Sequence, residues 1–98
     1  MRKLLIDDMR NIQDARVART YADGIAALKN EGPWDTLYLD HDLGEEIPSH
    51  TGYGIMCWLE ANPEYLPGEI ILVTSNPVGR SKMQVVINRL YEEDECEF

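Results

Sequence analysis

Two short apolar runs, "KLLIDD" at Lys3–Asp8 and "LYLDHD" at Leu37–Asp42, each end abruptly in carboxylates. No other feature constrains the chain as strongly. A compact apolar run bounded by polar residues is the mark of a buried strand, the kind found in parallel sheets. Carboxylates repel one another, so two such clusters brought together need a cation or a proton to relieve them.

The rest of the chain repeats the same punctuation. "ARVARTY" at 15–21 alternates apolar and polar residues and reads as a second strand. Asp23 can cap a short helix, "GIAALKN", that stops at Gly32-Pro33. "WDTLYLD" is the third strand, and "HDLGEEIPSH" is an irregular, mobile loop containing Gly44 and Pro48. Thr51 caps "GYGIMCWLEAN", which ends before Pro63. A Pro67-Gly68 turn leads into "EIILVT", the fourth strand. "SNP" then opens the last helix, "VGRSKMQVVINRLYEE", where Met83, Val86, Ile87 and Leu90 form one apolar stripe for a sheet.

Strands alternating with helices predict an α/β fold of the doubly wound type, an open and mostly parallel sheet. One connection is short. Eight residues separate Asp7 from Arg16, whereas a parallel crossover takes about 10–12 or more. Either the first helix is vestigial or the second strand lies elsewhere.

With 98 residues the chain holds one domain and one modest core. The expected division is a domain over 1–91 and an acidic tail over 92–98. That tail holds five of the acids behind the net charge of −9, leaving −4 for the rest; its simplest role is solubility. An acidic body argues against broad, non-specific duplex binding, which needs a basic face. No apolar run is long enough for a transmembrane helix, and acids interrupt the first apolar run too early for a signal peptide, so a cytoplasmic protein is expected. Two cysteines are too few for a disulfide framework or a Cys-based zinc site. Cys57 is expected in the core and Cys96 as a free thiol in the tail.

In an open parallel sheet all strand C-termini share one edge, and ligands bind there. That edge collects Asp7 and Asp8 from strand one, Asp40 and Asp42 from strand three, and Thr74 and Ser75 from strand four. Oxygen-only ligands select a hard cation such as Mg²⁺, held by Asp7, Asp8 and Asp40; His41 biases the site toward Mn²⁺. Facing the acids, "TSNPVGRSKM" offers Thr74, Ser75, Asn76, Gly79 and Arg80 at a helix start, a setting suited to phosphate. Gly79 allows close backbone approach. Arg80 opposes the helix dipole, which argues for a ligand role rather than a folding role. Asp40, His41 and Asp42 form the candidate catalytic group, with His41 or Asp42 as general base.

"LLIDD", a lone acid ending strand three, "TGYGI" and the hydroxyl after "ILVT" resemble the receiver domain of two-component signalling. More closely, "DDMR", "LDHDLG", "TGYGIMCWLE" and "SNPVG" resemble its small variant, the cyclic-phosphate-processing receiver domain, over residues 3 to 91. The resemblance implies a receiver-like, flavodoxin-like sheet truncated to about four strands with flanking helices. It implies Asp7 and Asp8 as the acidic metal pair, Asp40 at the phosphoacceptor position, and Thr74 or Ser75 as the switch hydroxyl. Two departures stand out: the receiver's fifth strand ending in Lys-Pro is missing, and Thr74 stands where the variant is expected to carry histidine. The implied function is processing of cyclic phosphates in RNA repair and biological conflict, a setting that suits a phage-sized chain. Two readings stay open. One is a metal-dependent phosphoesterase acting on or binding cyclic or terminal phosphates of nucleotides or RNA ends. The other is a non-catalytic regulator that binds a protein partner or a small phosphorylated ligand. Without a fifth strand, "EIILVT" becomes an edge, and a homodimer through Ile70–Val73 or the Met83–Leu90 helix is expected.

Overall fold

The structure, a computed structural model, describes residues 2–91. The acidic tail and Cys96 lie outside the described residues. Four parallel strands form one sheet in the order β2-β1-β3-β4. They are β1 (Lys3–Ile6), β2 (Arg16–Ala18), β3 (Thr36–Leu39) and β4 (Glu69–Leu72). Three helices accompany them: α1 (Tyr21–Asn30), α2 (Gly52–Ala61) and α3 (Pro77–Tyr91), with a single 3₁₀ turn at Pro63–Tyr65. This is the truncated receiver-like α/β sheet expected from the sequence.

All three helices cover the same face. Side chains alternate along a strand, so Leu4 and Ile6, Leu37 and Leu39, and Ile70 and Leu72 point to one side. They share one apolar cluster with Ala27 and Leu28 of α1, Ile55, Met56 and Leu59 of α2, and Met83 and Val86 of α3. Right-handed crossovers explain the placement. The connections β2→β3 and β3→β4 step the same way across the sheet and set their helices on one face. The connection β1→β2 steps back, so a helix there would lie on the other face. No helix forms in residues 7–15; a loop makes the crossover instead, with Asp14 in the left-handed region at φ 64°. The short first connection thus has lost its helix, and β2 keeps its expected place beside β1 in parallel register.

Two local expectations are corrected. α1 starts three residues earlier than the helix placed after Asp23: Thr20 is its N-cap, accepting the Asp23 amide at 3.1 Å. Asp23 instead pairs with the Arg16 guanidinium at 3.0 Å, and Tyr21 belongs to α1 rather than to the second strand. Cys57 is exposed, not in the core. The inward face of α2 is Ile55, Met56 and Leu59, and helical periodicity turns residue 57 away from it. Thr51 caps α2 as expected, through the Gly54 amide at 3.2 Å.

The apolar stripe of α3 is filled within the chain: Met83 and Val86 are buried, and Ile87 and Leu90 pack against the core. Burial of such side chains contributes about 1.5–3 kcal/mol each. Loop 41–50 is irregular, as expected, yet tethered. The Glu45 carboxylate accepts the Tyr21 amide at 2.7 Å and lies 3.1 Å from His50 Nδ1. The His50 ring stacks on Tyr21 at 4.3 Å.

Candidate functional site

β1 and β3 are neighbours with Ile6 opposite Leu39. Both runs end there because an acid follows, so Asp7 and Asp40 emerge side by side at the carboxyl edge. The Asp40 amide donates to the Ile6 carbonyl at 3.0 Å and the Asp7 amide to Ala18 at 3.1 Å, which extends the ladder one step past each strand. Asp7 is fully buried and Asp40 nearly so; Asp8 is half-buried. Carboxylate oxygens of Asp7, Asp8 and Asp40 lie within 4.8 Å of one another. Oxygen-only donors of this kind suit a hard cation such as Mg²⁺, and Asp7, Asp8 and Asp40 would hold it once their oxygens draw inward. Gly44, at φ 71°, closes the loop over Asp8: a β-carbon there would sit 3.0 Å from Asp8 Oδ2. The resulting cleft, about 430 Å³, is lined by Asp7, Asp8, Arg10, Asp40, Asp42 and Ser75.

The two buried acids are electrostatically unlike. Burial works to raise the pKa of Asp7, but it is outweighed by the Met9 and Arg10 amides and the Arg10 guanidinium, and the pKa is lowered. Its Oδ1 accepts both amides at 2.9 and 3.0 Å, and its Oδ2 accepts Arg10 Nη1 at 2.9 Å. At Asp40 burial wins and raises the pKa. A hydrogen bond to the Thr74 side chain, the His41 amide and the charge of Arg10 oppose it, while the charge of Asp7 adds to it. Asp40 therefore has the greater need of a cation.

Arg10 is the member of the site that the sequence reading missed. Its Nη1 lies 3.6 Å from Asp40 Oδ2 as well as 2.9 Å from Asp7. Its sequence signal is the last letter of "DDMR", which carries the family resemblance without assigning the arginine a role.

The other candidates divide. Asp42 and Ser75 reach the cleft. His41 is not in its lining: its Nδ1 lies 3.1 Å from Asp42 Oδ1 and its ring packs on Gly79. Gly79 therefore differs from expectation. It is buried, and a β-carbon there would come 2.5 Å from His41 Cγ, so glycine makes room for the imidazole rather than for a ligand. Asn76 caps α3, its Oδ1 accepting the Gly79 amide at 3.0 Å. Pro77 has no N–H, so Val78 is left with the one first-turn amide of α3 not yet used by a cap. Thr74 is buried, with its hydroxyl accepting the Asn76 amide at 3.1 Å.

Arg80 carries a folding duty that the sequence did not announce. The Glu69 and Val73 amides bond to the β3 side, so by alternation the carbonyls of residues 72 and 74 face the open edge. Arg80 Nη2 donates to both, each at 3.2 Å. The guanidinium thus satisfies carbonyls that a fifth strand would otherwise engage.

A family model described as Cyclic-phosphate processing Receiver domain matches residues 2–89. No curated protein and no solved structure matches the chain.

Proposed function

Because the chain belongs to the cyclic-phosphate processing receiver family, we propose that it is a Mg²⁺-dependent phosphoesterase for cyclic or terminal phosphates of nucleotides or RNA ends. The observation that carries this reading is the convergence of Asp7, Asp8 and Asp40 on one cleft that also holds Asp42 and Ser75. A bound Mg²⁺ supplies polarisation of a phosphoryl oxygen and a water of lowered pKa. Asp7, Asp8 and Asp40 hold it, and the chemistry of three carboxylates suits Mg²⁺, with Mn²⁺ as a substitute. Asp42 accepts the proton of the attacking water. His41, paired with Asp42 and braced by Gly79, orients that carboxylate and shares its proton. Ser75 and the Val78 amide meet the phosphate, with Thr74 and Asn76 fixing the turn that presents them, and Arg80 holding the end of β4 through the carbonyls of residues 72 and 74.

Hydrolysis of a 2′,3′-cyclic nucleotide in Mg²⁺, followed by phosphate-ester analysis, tests the reading. Asp42→Asn is expected to slow turnover by about 10²–10⁴, the usual contribution of a general base. Absence of hydrolysis in the wild-type protein, with and without Mn²⁺, contradicts it.

One observation favours a second reading, a regulator that docks on protein. Val78 and Val85 are exposed and seven residues apart on α3, hence on one face, and Ile71 is partly exposed on β4, at the open edge of the sheet. With Met83 and Val86 consumed by the core, a homodimer would use these three residues instead of the α3 stripe. Light scattering of the wild-type protein and a Val85→Lys variant tests this, with dimer lost in the variant as the expected result. Among the described residues no helix is long and apolar enough to cross a membrane.

A further inference from the structure

Arg10 occupies the place a cation would take. Its Nη1 lies 2.9 Å from Asp7 Oδ2 and 3.6 Å from Asp40 Oδ2, between the two acids. Its backbone is fixed: the amide donates to Asp7 Oδ1 at 3.0 Å and the carbonyl accepts Arg19 Nη1 at 2.7 Å. Arg19 Nη2 also donates to Asn11 Oδ1 at 2.6 Å, which pins the next residue of the loop. Its side chain, by contrast, is 45 % exposed. A fixed main chain with a half-exposed side chain lets the guanidinium leave the acids without disturbing the loop.

We infer that Arg10 is an internal counter-ion of the acidic cleft, displaced when a divalent cation binds and then free to hold a phosphate in the same cleft. The inference rests on the cation reading of the preceding subsection. Its physical basis is that a guanidinium and a divalent ion compete for the same carboxylates, since like charges in so small a volume repel. A released guanidinium on a pinned backbone is well placed for a phosphate, which it can meet with two parallel N–H donors. Among the described residues no lysine from a fifth strand serves that purpose, and Arg10 reaches the acids from the loop after β1. Cation and phosphate then bind with positive coupling, because the first frees the ligand of the second and linkage is reciprocal.

The test is Mn²⁺ binding to the full chain, read as free Mn²⁺ by electron paramagnetic resonance, with and without inorganic phosphate. Arg10→Gln and Arg10→Ala are compared with the wild type, two variants guarding against one that folds poorly. Without phosphate, both are expected to bind Mn²⁺ about fivefold more tightly, the factor one exposed ion pair represents. Phosphate should tighten Mn²⁺ binding in the wild type and leave the variants unmoved. Equal or weaker Mn²⁺ binding by a folded Arg10→Gln overturns the proposal, as does equal phosphate coupling in all three proteins. If the wild type takes up no more Mn²⁺ than Asp40→Asn, the cation reading itself fails and Arg10 with it. That outcome is distinct from Mn²⁺ binding that is present but indifferent to Arg10.

Discussion

The ends of β1 and β3 put buried carboxylates side by side, yet the protein treats them in opposite ways. Asp7 has both oxygens satisfied, by two amides and a guanidinium, and is easier to ionise than an ordinary aspartate. Asp40 has the His41 amide at 2.9 Å, the Thr74 side chain and a more distant arginine, yet burial outweighs them and makes it harder to ionise. Asp7 is thus a structural anion that organises the 7–15 loop, while Asp40 is an acid whose charge is set against burial. Residues of the same type, one strand apart, differ because only one is followed by a loop that folds back onto it.

The largest expected effect comes from breaking the β1 side. Asp7→Ala leaves the part-buried Met9 and Arg10 amides and a half-exposed guanidinium without their acceptor and should cost about 1–3 kcal/mol for each amide that water does not reach; urea unfolding measures it. Next comes Arg80→Ala, expected to destabilise by about 1–3 kcal/mol because two edge carbonyls lose their donor. An unchanged unfolding midpoint would return Arg80 to a purely ligand-facing role. Asp40→Asn should move the other way and, without added cation, raise the unfolding midpoint slightly, the smallest of the three effects, since it removes a charge that burial disfavours.

The pH dependence sharpens the same contrast. Asp40's folded pKa lies above its ordinary 3.8, so its contribution is full below that value and is lost as pH rises through the folded pKa. Asp7's folded pKa lies below 3.8, so its contribution is present above that value and is lost as pH falls through the folded pKa. Wild-type stability should therefore drop on the acid side through Asp7. It should also decline modestly above pH 3.8 through Asp40, a decline absent in Asp40→Asn. Thermal melts across pH, without cation, read both limbs.

Much of this was legible in the sequence, for physical reasons that also mark where legibility stops. β1 and β3 could be read because acids cut each apolar run, and the parallel order follows from alternation with helices. That order alone brings Asp7, Asp8 and Asp40 to one edge. The start of α1 was misplaced because Thr20 and Asp23 are both good caps three residues apart, and only the pairing of Asp23 with Arg16 decides between them. Cys57 was misread because an apolar run hides helical phase; Ile55, Met56 and Leu59 already point residue 57 outward. The roles of Arg10, Gly79 and Arg80 depend on partners distant in sequence or on a folded loop: Asp40, the His41 ring and the open carbonyls of β4. No local pattern encodes those contacts.

The central claim is that the carboxyl edge of β1 and β3 is a divalent-cation site with Asp40 as the member whose charge burial disfavours. Its most direct test is the thermal shift of the wild-type protein and Asp40→Asn in millimolar Mg²⁺. Binding to the folded state alone raises stability by mass action, about 2.7 kcal/mol at a hundredfold excess over Kd. The account predicts a melting temperature that rises with Mg²⁺ in the wild type and barely moves in Asp40→Asn. The same rise in both proteins, or none in either, would contradict it.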